Sequence, residues 1–131
     1  MNTTVLEPAG AAAPAPLRGR LAAAAASFLA IYNARADLIA EHRGWNRTIA
    51  LVASDTGESV AIRAFDGRLA EDASGSSQPD IVITSDRATL CDVLELRTSP
   101  NEPYIFGELT VRGAEPDFLR IDYIAAALCP A

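Results

Sequence analysis

The spacing of apolar positions changes rhythm several times along the chain. Residues 1–16 (MNTTVLEPAGAAAPAP) are rich in Pro, Ala and Gly without any period, the composition of a disordered or loosely attached tail. From Leu17 a helical stripe begins. Leu17, Leu21, Ala24, Phe28, Ile31 and Leu38 share one face, widened by Ala25, Leu29, Tyr32, Ala36 and Ile39. Asn33, Asp37 and Glu41 recur every fourth residue on the polar side, and Gly44 supplies a stop signal, so the pattern predicts one long helix. Alternation then takes over. Trp45–Ser54 (WNRTIALVAS) and Ser59–Phe65 (SVAIRAF) read as strands joined by a polar turn, and the tight-turn pair Asp66-Gly67 leads to a short third strand, Arg68–Glu71. These three strands predict an antiparallel meander, followed by a loop over 72–78 (DASGSSQ).

Pro79–Thr84 (PDIVIT) reads as a fourth strand. Thr84 or Ser85 can cap a helix running to about Leu96, with Leu90, Val93 and Leu94 inward. Two prolines mark Arg97–Pro103 as loop, Leu109–Arg112 as a fifth strand lies between Gly107 and Gly113, and Pro116 suits the first turn of a last helix. Phe118, Ile121, Ala125 and Leu128 set the buried face of that helix, and Pro130 closes it. Strands in succession, with helices at the ends and between the last two strands, predict an α+β fold. Its sheet would be five-stranded and mainly antiparallel, with helices covering one face, in a single domain over residues 17–131.

The bulk numbers narrow the functions. At 131 residues the chain is one domain, able to bury roughly two-thirds of its unfolded surface without a metal or disulfide. Its net charge is −6, and all 11 basic residues are arginine. An acidic chain without a basic cluster gains nothing from counterion release, which argues against nucleic acid and against docking on an anionic membrane face by charge alone. The missing lysine excludes Schiff-base chemistry. Cys91 and Cys129 form no CxxC pair, and with one histidine they make no zinc site, so no metal or other cofactor is expected. No apolar run reaches the roughly 20 residues of a transmembrane helix. Arg18 and Arg20 before the apolar stretch 21–32, with Ala34-Arg35-Ala36 after it, mimic a cleavable signal, but the stretch is mostly alanine and its helical pattern continues past the cut. A cytoplasmic protein with reduced cysteines is the expectation.

The second half, PDIVITSDRATLCDVLELRTSPNEPYIFGELTVRGAEPDFLRIDYIAAAL, resembles the sterol carrier protein type 2 family. The resemblance is carried by Pro79, Asp80, Ile81 and Ile83, by the helix around Leu90 and Leu94, and by Gly107, Leu109, Val111 and Gly113. With the meander and the first helix it extends over about residues 17–129. These positions are glycines and apolar residues, so the resemblance speaks to fold more than to activity. Glu108 and Arg112 stand where such domains often carry lysine, which counts against anionic acyl-CoA, and Leu96-Arg97-Thr98 stands where a glycine often follows the middle helix.

The resemblance implies a cavity between the sheet and the last two long helices, lined here by Leu90, Val93, Leu94, Ile105, Phe106, Leu109, Val111, Phe118, Ile121 and Ile124. The last helix is itself apolar beyond one stripe, so part of it must cover a ligand, a partner or a groove. The leading expectation is a carrier for a hydrophobic small molecule (fatty acyl, sterol, isoprenoid or polyketide-like), monomeric or homodimeric, which presents its cargo to a biosynthetic enzyme or a membrane. The alternative is a small cyclase or isomerase using the same cavity, with His42, Asp37, Glu41, Tyr104, Asp122 and Tyr123 as acid/base candidates. Each has a plain structural reading too: His42 as a cation at a helix C-terminus, Asp37 and Glu41 as solvated carboxylates. Arg63 suits either a ligand anion or the open face of a sheet, and Asp80 a strand start. Cys91 beside Asp92 is a poor nucleophile, and Ser85 and Ser99 have no neighbouring base.

Overall fold

The computed structural model describes residues 14–72 and 78–129; the first 13 residues of the tail expected over 1–16, the loop core 73–77 and residues 130–131 lie outside them. The elements are α1 (Pro14–Asn33), α2 (Ala36–Glu41), β1 (Arg47–Ala53), β2 (Ser59–Phe65), β3 (Arg68–Glu71), β4 (Ile81–Ser85), α3 (Arg87–Leu94), α4 (Asn101–Ile105), β5 (Leu109–Arg112) and α5 (Glu115–Leu128). All five strands join one sheet in the order β3-β2-β1-β4-β5. The meander β1-β2-β3 and the pair β4-β5 are antiparallel, while β1 and β4 run parallel, so the sheet is mixed with antiparallel ladders in the majority. The parallel joint starts at Asp80: its N–H donates to the Thr48 carbonyl at 2.8 Å and its carboxylate accepts from the Thr48 N–H at 2.9 Å. Asp80 is thus a strand-start residue.

Alternation gives each strand one buried row. Ile49 sits between Ile62 and Ile81, Leu51 between Val60 and Ile83, and Leu109 faces Ser85. The helices pack on this face, with α1 against α3, β2 and β3. Arg63 points from the other face to solvent, its guanidinium 5.7 Å from the Phe65 ring centre.

Three local expectations are corrected. The first helix is not continuous: it is kinked at Gly19 (φ 84°) and ends at Asn33, and α2 starts three residues later. Tertiary bonds fix the break. The Tyr32 hydroxyl donates to the Gly67 carbonyl at 2.6 Å, and the Asn33 side chain binds both the N–H and the C=O of Leu69. The chain is thereby clamped to the edge strand β3, whose outer backbone groups would otherwise be unpaired. The inward face of α1 centres on Leu21, Ala25, Leu29 and Tyr32, which leaves Ile31 at its margin, 41% exposed.

Second, α3 is capped by Asp86, whose carboxylate accepts from the Thr89 N–H at 2.7 Å. Ser85 instead ends β4, with its hydroxyl donating to the Glu108 carbonyl. At the other end of α3, the Arg97 N–H reaches the Asp92 carbonyl at 2.8 Å and the Leu96 N–H the Val93 carbonyl at 3.1 Å, the paired bonds of a Schellman closure. Leu96 holds the left-handed position (φ 64°), its side chain packed on the core. Third, the stretch read as loop contains the single turn α4. Its prolines fit because Pro100 precedes the turn and Pro103 lies at a position whose N–H has no helical acceptor. Asp66 (φ 54°) and Gly67 (φ 85°) make the expected tight turn. A Cβ on Gly67 would strike the Ile39 carbonyl, so glycine is required there.

Candidate ligand-binding cavity

Between the buried face of the sheet and helices α1, α3 and α5 lies a cavity of about 70 Å³ with a wholly apolar wall. Every layer contributes. The sheet supplies Ile49, Leu51, Ile62, Leu69, Ile83 and Leu109; α3 supplies Leu90, Val93 and Leu94; α5 supplies Phe118, Ile121, Ile124 and Ala125; Phe28, Trp45 and Pro100 complete it. An unfilled apolar space of this kind is unusual in a close-packed interior. At roughly 24 cal/mol per Å³ it withholds about 1.7 kcal/mol from the fold.

Of the residues the resemblance implied, Leu90, Val93, Leu94, Leu109, Phe118, Ile121 and Ile124 lie on the wall. Ile105 and Phe106 do not: they are 67% and 71% exposed. Val111 packs against the core beside Ile83 without reaching the cavity. The wall residues that helix-based reasoning missed come mainly from the strands and Trp45. Their signal was present, since the inward row of each strand could have been read from the same alternation that predicted the strands.

None of the acid/base candidates lines the cavity. Asp37 is tied to Arg35 at 2.8 Å, and that bond holds its carboxyl below the usual range. Tyr104 stacks on Phe118 with ring centres 4.7 Å apart. Asp122 is half-buried on α5, away from the cavity wall. The remaining three gather elsewhere. Glu41, His42 and Tyr123 line a separate surface groove of about 310 Å³ with Pro116, Leu119 and Arg120. There the Tyr123 hydroxyl donates to Glu41 at 3.3 Å, which raises its pKa.

His42 is 3% exposed, with Arg120 donating to its Nδ1 at 2.7 Å. A guanidinium can only donate, so Nδ1 is the acceptor and the ring is neutral with its proton on Nε2. Burial, and then the Arg120 charge, push its pKa below the ordinary histidine value. Arg120 also lies over the Trp45 ring at 5.5 Å.

Sequence reasoning overlooked Asp117, which fastens the cavity wall. This buried carboxylate in the first turn of α5 accepts from Trp45 Nε1 at 2.9 Å and from Arg47 Nε at 3.0 Å. Burial pushes its pKa up, but the bonds from Trp45 and Arg47 outweigh that and hold it below the usual range. The site is anchored by one ion while its interior stays apolar. Cys91 is buried and its thiol is pushed up in pKa by that burial, so it is a poor nucleophile. Among the described residues no group of metal-ligating side chains occurs, and no helix is long and apolar enough to cross a membrane.

The architecture therefore defines an α+β domain with an apolar cavity under a mixed sheet. Its fold is that of sterol carrier protein 2 domains. UbiJ-SCP2, described as a ubiquinone synthesis protein, superimposes with a TM-score of 0.65 at 15% identity, covering 87% of this chain and 97% of that one. A sterol carrier protein 2 crystal structure gives 0.56 at 23% identity, covering 81% and 90%. The sec-alkylsulfatase Pisa1 from Pseudomonas sp. gives 0.55 at 14% identity; the match covers 66% of this chain but only 14% of the sulfatase. No protein-family model and no curated protein matches the chain.

Proposed function

We propose that this chain is a carrier that takes a hydrophobic small molecule into the cavity beneath α5 and passes it to an enzyme or a membrane. The observation that carries the reading is the void whose wall, among the described residues, is made of apolar side chains. Water gains nothing there, because no polar atom offers it a partner, whereas an apolar chain recovers the missing contacts. Burying about twelve methylenes is worth about 10 kcal/mol before ordering costs, enough for micromolar binding without a polar clamp.

The void is smaller than such a chain, and about half the size of an apolar cavity of about 150 Å³ that takes up benzene. Loading therefore requires the wall to part. The wall that yields is α5, which is fixed to β1 at its first turn by Asp117 and leaves Leu119 and Tyr123 at least half exposed. Phe118, Ile121, Ile124, Leu90, Val93, Leu94 and Leu109 are the proposed ligand contacts. Fatty acyl, sterol, isoprenoid and polyketide-like molecules all fit this chemistry, and the likeness to a ubiquinone synthesis protein adds weight to an isoprenoid. The carrier would act in the cytoplasm as a monomer or homodimer. Among the described residues no titratable side chain lines the cavity, so the same residues give catalysis there no support.

The test is displacement of a fluorescent fatty acid from the full chain by decanoate, hexadecanoate, a sterol and a polyprenol. Saturable displacement by at least one supports the carrier. Failure of the probe to bind, and of every competitor to raise the melting temperature, would end it.

A further inference from the structure

We propose that the turn Tyr104-Ile105-Phe106 is a docking knob for another protein, one that presents an apolar groove rimmed by lysine and arginine. Ile105 and Phe106 are the two most exposed large apolar residues of the described chain, at 67% and 71%, and Tyr104 beside them is 44% exposed. They are not on a slack loop. Pro103 is buried beneath them, the Tyr104 ring stacks on Phe118, and the Gly107 and Glu108 N–H groups return to the carbonyls of Tyr104 and Pro103 at 3.2 and 2.8 Å. A fixed turn offering an aromatic and an aliphatic anchor at little ordering cost is what the centre of a protein interface needs.

Charge decides the occupant. From Thr98 to Val111 the chain holds no basic residue, and the turn is bracketed by Glu102 and Glu108. Glu115, three residues before the Phe118 ring on which Tyr104 stacks, is likewise exposed. Among the described residues none of these three glutamates has an arginine within ion-pair distance, and Arg97 at the near end is committed to Asp92 and Glu95. Segments that settle on phospholipid pair their apolar residues with lysine and arginine, the reverse of this arrangement. A second copy would set glutamate against glutamate. A basic-rimmed apolar groove satisfies both the anchors and the rim. Pro100, which leads into the turn, and Phe118, which supports it, also line the cavity, so the docked partner would sit beside the cargo. The knob itself rests on exposed residues and stands or falls apart from the carrier reading.

The experiment is selection of random phage-displayed peptides on the full chain, with counter-selection on the variant Ile105→Asp/Phe106→Asp. Expected are peptides with an apolar centre flanked by lysine or arginine. They should bind the variant at least about tenfold more weakly and lose several-fold in affinity when salt is raised to about 0.5 M. Glu102→Gln/Glu108→Gln should flatten that salt dependence, and its fold is checked by an unchanged melting curve. Enrichment of peptides without basic residues, or none at all, overturns the proposal. Flotation of wild type but not variant with phosphatidylcholine vesicles would give the turn to lipid, and a dimer in light scattering lost in the variant would give it to a second copy; either overturns it.

Discussion

If the space beneath α5 is a real void, a slightly larger side chain placed in its wall should stabilise the protein. Ala125 lines the cavity and is 4% exposed, so Ala125→Val adds two methyl groups that have nowhere to go but inward. Burying two carbons at about 0.8 kcal/mol each gives about 1.6 kcal/mol. Valine gives back about half a kcal/mol of that in helix propensity. Two water-sized volumes amount to about 60 Å³, within the 70 Å³ present. The net expectation is about 1 kcal/mol of added stability, a rise in Tm of about 4 °C for a chain of this length. The same two carbons compete with cargo, and 1.6 kcal/mol corresponds to about fifteenfold weaker binding of a fluorescent fatty acid. Thermal melts and a binding titration on the same preparation read both effects. A solid interior reverses the sign, because overpacking costs about 1–3 kcal/mol. A fall in Tm would thus refute the void, and a rise in Tm with unchanged probe binding would refute its use.

Two further outcomes follow from the polar groups around α5. His42 is held below its ordinary pKa in the folded state, so near and below pH 6.5 the unfolded chain binds the proton more readily. Its contribution is therefore complete above about pH 6.5 and is lost as pH falls through that region, ahead of the loss from Asp117, Asp86 and Glu95, whose folded pKa values are also lowered but in the carboxylate range. Urea unfolding between about pH 7.5 and about pH 5 should show this slope, and His42→Gln should flatten it; an equal slope in the variant contradicts the assignment. Asp117→Ala strands the Trp45 N–H and the Arg47 guanidinium and should cost about 2 kcal/mol in urea unfolding, whereas Asp117→Asn keeps an acceptor for Trp45 and should cost about half as much. A loss in Asp117→Ala no larger than that of an ordinary surface substitution would show that Asp117 does not anchor α5.

By itself the sequence determined the local elements. All five strands, α3 and α5 follow from spacing of apolar residues and from turn chemistry, because periodicity reports the geometry of a segment with its own neighbours. It also determined the apolar surplus of α5 and the absence of a charge cluster suited to nucleic acid. The contacts between distant segments were decided only by the tertiary structure. The helix breaks after Asn33 because Tyr32 finds Gly67 in the tight turn and Asn33 finds Leu69 on the edge strand that follows it, some 35 residues away, bonds that no repeat in the helix announces. β4 lies parallel to β1, and that pairing brings Ile49 and Leu51 into the same cavity as Ile83. Ile105 and Phe106 look like core by composition, yet the buried Pro103 and the Tyr104–Phe118 stack turn them outward. Asp117 reads as a helix-start carboxylate until Trp45 and Arg47 are folded against it. Side-chain pattern fixes which face of an element is apolar; what that face meets depends on register between elements far apart in the chain, and a cavity is made of such meetings.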